Sequence, residues 1–241
     1  MMARVARYCL PFAVLCAIAA IMSGIGYRSG WWSLRVGFGI IQWAAYVAVV
    51  VTALAVAAVF VSRRDDRRRG LAPAVIALLV GVATFGLPGF MLIKSKQVPP
   101  IHDITTDTTD PPRFIAVLPL RANARNSTDY GGPSVAAQQR AAYPAIVPFD
   151  SKLSPGDAFK RALDVANAMG WDIVAALPAE GRIEATDTTL LFGFKDDIVI
   201  RVTPSAEGSR VDIRSESRIG GSDIGKNASR IARFLDKMRA A

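Results

Sequence analysis

YCLPFAVLCAIAAIMSGIGY, residues 8–27, decides the architecture of this chain. Its twenty residues carry no charge. At about 1.5 Å of rise each, a helix of that length covers about 30 Å, the hydrocarbon thickness of a bilayer. Arg4 and Arg7 precede the run and Arg28 follows it. A signal peptide also opens basic and then apolar, but this run is long for one, Pro11 comes early, and two further apolar runs follow, so it reads as a retained span. The second run, residues 36–61, exceeds a perpendicular crossing and has length to tilt. Trp31 and Trp32 precede it in RSGWWSLR, where amphipathic rings suit the interfacial zone. The third, residues 71–93, carries Pro88 and Gly89 near one end, where the helix is expected to bend or stop.

The net charge of +9 would suit a polyanion binder, but its distribution excludes that reading. Residues 1–100 hold 11 basic and 2 acidic side chains, whereas residues 101–241 hold 18 of each, so the excess flanks the apolar runs and no nucleic-acid partner is expected. Arg63, Arg64, Arg67, Arg68 and Arg69 crowd the loop between the second and third runs. The positive-inside rule puts that loop and the N-terminus in the cytoplasm, and three crossings then put the C-terminal region outside, periplasmic or extracellular, on a multi-pass inner (plasma) membrane protein. No Asp, Glu, Lys, Arg or His interrupts a span, which disfavours a pump or carrier, while Gly26, Gly37, Gly39, Gly81 and Gly86 permit close helix packing. Cys9 and Cys16 share one helix face about 10 Å apart, too far to bridge. With His102 the lone histidine and no cysteine beyond residue 16, neither a transition-metal site nor any cofactor is expected.

The expected organisation is a three-helix membrane domain over residues 1–96, an extended Pro-rich strap with loops over 97–145, and an α+β domain over 146–241. Pro99, Pro100, Pro111 and Pro112 deny helix and central strand to the strap. SPGDAFKRALDVANAMGW then gives a helix with Ser154 as cap, Pro155 at its first position and Gly170 at its end. Period-two runs at 171–175, 182–188, 197–203 and 210–217 read as strands, with the turn of the last pair at SAEG, 205–208. In the last strand Val211, Ile213 and Ser215 alternate with Asp212, Arg214 and Glu216, the pattern of an antiparallel strand with one face in water. A second helix is expected from about Ile224, capped by Ser222 or Asp223. Helix, antiparallel strands and helix make an α+β two-layer domain with both helices on one face of the sheet.

RSESRIGGSDIGKNASRIARFL, residues 214–235, resembles the signature of the DUF1499 family, with its Ser-Arg, Gly, Ser-Asp-x-Gly, Asn and Arg-Ile series. IHDITTDTTDPPRF, residues 101–114, is similar to the opening of that family's membrane-anchored members, and Tyr143-Pro144 and Trp171 extend the likeness over residues 101–241. Many shorter members carry instead a Cys-containing opening that ends near Asn-Cys. This chain lacks it, so no role tied to that cysteine transfers. The family's function is unknown, so the resemblance implies a domain and no activity.

The candidate site is therefore read from the residues. Arg214, Glu216 and Arg218 lie at the end of the last strand, Ser222 and Asp223 at the following turn, Asn227 and Arg230 on one side of the last helix. Arginines beside a helix N-terminus suit a carboxylate, a phosphate or a lipid headgroup, and equally a salt-bridged clasp. Asp103, Asp107 and Asp110 have the chemistry for a hard cation, but their pattern is not that of an EF-hand, and turn duty in the strap explains them. Asn126-Ser127-Thr128 matches a glycosylation acceptor, which matters only in a eukaryotic secretory route. No nucleophile elbow or triad is present. The expected function is a noncatalytic accessory protein of an envelope complex, anchored in the lipid bilayer and presenting its external domain to a protein partner. The alternative is a domain that binds a lipid headgroup or small anion through Arg214, Arg218 and the last helix; an enzyme ranks third.

Overall fold

The computed structural model describes residues 2–63 and 70–240, with side chains from residue 8 onward; the arginine loop from 64 to 69 lies outside the described residues. The chain divides into two compact units, Met1–Lys94 with Leu190–Gly193, and Ser95–Thr189 with Phe194–Ala241.

Three helices make the first unit: α1 (Met2–Arg28), α2 (Leu34–Arg63) and α3 (Leu71–Ser95). Each is long and apolar enough to cross a membrane, with mean hydropathies of 2.2, 2.6 and 2.2 over their most apolar windows. α3 does not stop at Pro88 but runs on to Ser95. A proline ring removes one helical hydrogen bond, and in an apolar helix the local backbone absorbs that loss. Small side chains set the packing: Cys9 and Ala13 of α1 meet Val51 and Ala55 of α2 and Ala77 of α3, and Ala58 of α2 meets Ala74 of α3. Trp32 lies over Gly26, where any Cβ would collide with its ring, and its indole N–H donates to the Ser23 carbonyl at 3.0 Å. Arg28 donates to the Leu190 carbonyl at 2.7 Å within the same unit. Gly81 of α3 faces Thr52 of α2 so closely that a Cβ would overlap the threonine hydroxyl and sit 3.5 Å from the Ala48 carbonyl. We expect Gly81→Leu to force these helices apart and cost about 1–3 kcal/mol, read as earlier thermal unfolding of the detergent-purified chain.

The second unit is an antiparallel sheet with helices on one face. Its elements are β1 (Asp103–Thr105), the 3-10 turn η1 (Leu118–Arg121), α4 (Gly132–Ala142), β2 (Phe149–Ser151), α5 (Pro155–Ala168), β3 (Asp172–Leu177), the turn η2 (Pro178–Glu180), β4 (Arg182–Thr188), β5 (Lys195–Ser205), β6 (Gly208–Ser217) and α6 (Lys226–Arg239). The order is β1-β6-β5-β4-β3, and β2 also pairs with β6 further along. Ser154 caps α5 by accepting the Asp157 N–H at 3.2 Å, Pro155 fills its first turn, and Gly170 follows it at φ +75°. α5 and α6 bury Phe159, Ala162, Ile231, Phe234 and Leu235 against Ile183, Ile198, Ile200, Val211 and Ile213 on one face of the sheet. Trp171 stacks on Phe234 with centroids 5.8 Å apart.

Two expectations are corrected here. The strap is not merely extended: it contributes β1 to the sheet edge and folds α4, eleven residues long, which starts within Gly131-Gly132-Pro133. Nor does β6 have a face in water. Asp212, Arg214 and Glu216 are 1%, 3% and 0% exposed, because residues 106–130 fold back across that face and pack Phe114 and Val117 on Val199 and Val174.

Candidate functional site

A sheet face of charged residues under a roof is stable only if each charge finds a partner, since an unpaired buried ion costs several kcal/mol. On this face the pairs are built across strands and up into the strap. Arg214 grips Asp103 of β1 with two bonds, Nε–Oδ1 2.9 Å and Nη2–Oδ2 2.7 Å, and lies over the rings of Phe114 and Tyr130 at 4.9 and 5.6 Å. Asp197 of β5 stands directly across from Glu216 of β6. It takes two bonds from Arg218, at 2.8 and 2.7 Å, one from Arg121 at 2.6 Å and one from the Thr186 hydroxyl at 2.7 Å. Burial opposes its charge, yet the hydrogen bonds from Arg218, Thr186 and Arg121 prevail and hold its carboxyl below the ordinary value. Arg121, carried down by η1, spans to Glu216 at 3.0 Å. The second Glu216 oxygen has no hydrogen-bond partner among the described residues, and burial pushes this carboxyl up to about 8 despite Arg121 and Arg214. The buried Tyr130 hydroxyl is also unpartnered, and burial with the nearby Asp103 charge raises it to about 12.

Further along the face, Arg201 and Arg210 share Asp212 and Asp107, and Arg201 also holds Asp110 at 2.8 Å. Asp103, Asp107 and Asp110, the three carboxylates of residues 103–110, are therefore arginine partners. Glu184 of β4 pairs with Arg182 and accepts the backbone N–H groups of Ile115, Ala116 and Val117, each at 3.0 Å. One buried carboxylate thus fixes three consecutive residues of the strap. Asn126 donates through its side-chain nitrogen to the Ser217 and Gly220 carbonyls, at 2.7 and 2.9 Å, so glycosylation there would replace a hydrogen that the fold uses and break at least one of the two bonds.

The opposite face of the sheet holds a second, separate group. Arg230, fully buried on α6, reaches Asp196 at 2.6 Å and Asp187 at 2.7 Å and donates to the Ser215 hydroxyl at 3.0 Å. Asn227 accepts from Ser215 at 2.8 Å and donates to Ser217 at 3.0 Å and to the His102 carbonyl at 2.8 Å. The candidate residues therefore do not converge: Arg214 and Arg218 lie under the strap, while Asn227 and Arg230 belong to α6 and face the opposite side of the sheet. Asp223 belongs to neither group. Its carboxylate accepts the N–H groups of Gly225 at 2.8 Å and Asn227 at 2.6 Å, and Ser222 accepts that of Ile224 at 3.2 Å. The N-cap position itself is taken by Gly225, at φ +75°, and Ile224 before it has φ +56°. Such a conformation costs a β-branched residue about 1–3 kcal/mol and persists only where neighbours impose it. Here the two bonds to Asp223 impose it.

Sequence reasoning missed Arg121, Glu184 and Asp197 as members of this network. Their partners are remote in the chain, 76 residues away for Arg121 and Asp197 and 68 for Glu184 and Ala116, and no local pattern marks them. The arrangement is one of clasps, an ionic one joining strap to sheet and a second joining α6 to the sheet.

No curated protein matches the chain. A family model described as a protein of unknown function, DUF1499, matches residues 103–238, which begin at β1 and end within α6 and so include both clasps. With more than half of its length matched by that model, and with three helices fit to cross a membrane ahead of the matched part, this chain belongs to the DUF1499 family.

Proposed function

We propose that this chain is a noncatalytic accessory protein of the cell envelope, held in the inner membrane by its three helices, with its C-terminal domain outside the cytoplasm and in contact with a protein partner. The supporting observation is the use of the signature arginines. Arg214, Arg218 and Arg230 each hold buried carboxylates, so the residues best suited to grip an anionic ligand are building the fold instead. The orientation rests on the five arginines between the second and third spans.

The test is crosslinking in native membranes, purification in mild detergent and native mass spectrometry. One recurrent protein at fixed stoichiometry supports the accessory reading. A lone chain carrying a lipid or small anion overturns it in favour of a ligand-binding domain. For orientation, a cysteine introduced at Glu207, an exposed residue of the β5–β6 turn, should react with a membrane-impermeant maleimide in cells whose cytoplasmic membrane is intact. Reaction only after lysis would reverse the topology.

A further inference from the structure

PPRFIAVLPLRANARNST, residues 111–128, roofs the charged face of the sheet and contains no acidic residue. Its side chains divide by direction. Phe114 and Val117 point inward and are 6% and 0% exposed, whereas Ile115, Leu118 and Leu120 point outward and are 54%, 44% and 55% exposed. A loose loop could turn such residues in; this one is fixed. Glu184 holds the backbone of Ile115, Ala116 and Val117, and Leu118 and Leu120 close turns onto the carbonyls of Ile115 and Val117. Arg218 fastens the far side, donating to the Leu120 carbonyl at 2.7 Å and accepting the Arg125 N–H at 3.0 Å. Buried polar groups are thus invested in a rigid backbone that displays three large aliphatic side chains to the outside.

Within residues 111–128 the charges are of one sign. Arg113 and Arg125 are exposed, and their guanidiniums make no hydrogen bond or ion pair among the described residues, whereas Arg121, Arg214 and Arg218 around them each hold a carboxylate. Outward aliphatic side chains flanked by unpaired arginines match the two requirements of an anionic lipid surface, an apolar layer to enter and headgroup phosphates to meet. The chain also supplies such a surface: Ile115 follows the end of α3, at Ser95, by twenty residues, a tether of at most about 70 Å. That tether keeps the loop at high effective concentration over the leaflet, so a modest intrinsic affinity suffices.

We propose that Ile115, Leu118 and Leu120 insert into the interfacial zone of the bilayer's outer leaflet, with Arg113 and Arg125 on anionic headgroups. The proposal does not depend on the accessory role. The test uses the full chain with Cys9 and Cys16 replaced by alanine, reconstituted alone in nanodiscs of phosphatidylcholine with or without phosphatidylglycerol. A nitroxide is placed at Leu118→Cys, at Leu120→Cys, or at Glu207→Cys at the far end of β5 and β6. Labels at 118 and 120 should show several-fold fewer collisions with an aqueous nickel chelate than the label at 207, and more with dissolved oxygen, most strongly with phosphatidylglycerol. Equal chelate access at all three sites in both membranes overturns the proposal. So does protection of 118 and 120 from chelate and oxygen alike, which would mark contact with protein. Arg113→Glu with Arg125→Glu should return the labels to water while the thermal unfolding midpoint is unchanged; labels that stay inserted overturn the headgroup role.

Discussion

Replacing Arg230 by methionine is expected to destabilise the external domain by about 3–5 kcal/mol, the usual consequence of removing one partner from a buried ion pair. Methionine keeps most of the side-chain volume, so the loss measures charge pairing more than cavity formation. Arg230 is 0% exposed, and Asp196, which it meets at 2.6 Å, is 4% exposed. Without the guanidinium, Asp196 keeps a buried charge, and Ser215 and Asn227 lose a shared donor. For a domain of this size the unfolding midpoint should fall by about 10 °C, read from tryptophan emission of the detergent-purified chain. Asp196→Asn in the Arg230→Met background should recover part of the loss, because the stranded charge goes with it, whereas Asp196→Asn alone should destabilise. A methionine variant within about 1 kcal/mol of the parent would show that the clasp contributes little to stability.

The periodic parts of the fold were legible in the sequence. α5 was readable because Ser154, Pro155 and Gly170 mark its ends, and β4, β5 and β6 because each is a run of seven or more residues with apolar side chains recurring at every second position, Ile183 and Ala185, Ile198, Ile200 and Val202, and Val211 and Ile213. α4 was not, since GPSVAAQQRAA buries only Ala136 and Gln139 and so carries almost no apolar face. β1 and β2, three residues each, are too short to show a period and exist because β6 offers them an edge. The misreading of β6 has a more general cause. Alternation reports which residues are polar; whether that face meets water depends on what the rest of the chain places over it. The strap's cover, with Arg121 against Asp197 and Glu184 against the Ile115–Val117 backbone, is a set of contacts 67 to 76 residues apart. For the same reason the candidate residues split into two groups: parity places Arg214 and Ser215 on opposite faces, but nothing local says which face α6 covers. Once the register is known, Arg230 and Asn227 must follow Ser215.

Stability should fall as pH rises from about 4.5 to about 8, and Glu216 is the group most responsible. Its carboxyl is pushed from an ordinary 4.5 to about 8, first by burial, with Asp103 and the facing Asp197 adding to it and Arg121 and Arg214 opposing it. Between those two values the folded chain keeps a proton that the unfolded chain has released. Each increment of pH in that window therefore favours unfolding, and the stabilisation present below the ordinary value is gone once the folded carboxyl ionises. The span corresponds to on the order of 5 kcal/mol. Burial raises Asp223 as well, which adds to the slope on the acidic side. Asp107 and Asp197 act in the other direction: both are held below their ordinary value, so their contribution is present above about pH 4 and is lost as pH falls through their folded values. The domain should thus be most stable in weakly acidic solution. Glu216→Gln is uncharged throughout and can still accept from Arg121 through its amide oxygen, so its unfolding midpoint should be nearly level between pH 5 and pH 8.5 and should exceed the parent's at the alkaline end. The comparison is a pair of thermal unfolding series across that range. A parent whose midpoint does not fall, or a glutamine variant that falls in parallel with it, would show that Glu216 is already ionised in the folded domain, with Arg121 and Arg214 sufficient to hold its charge beside Asp197.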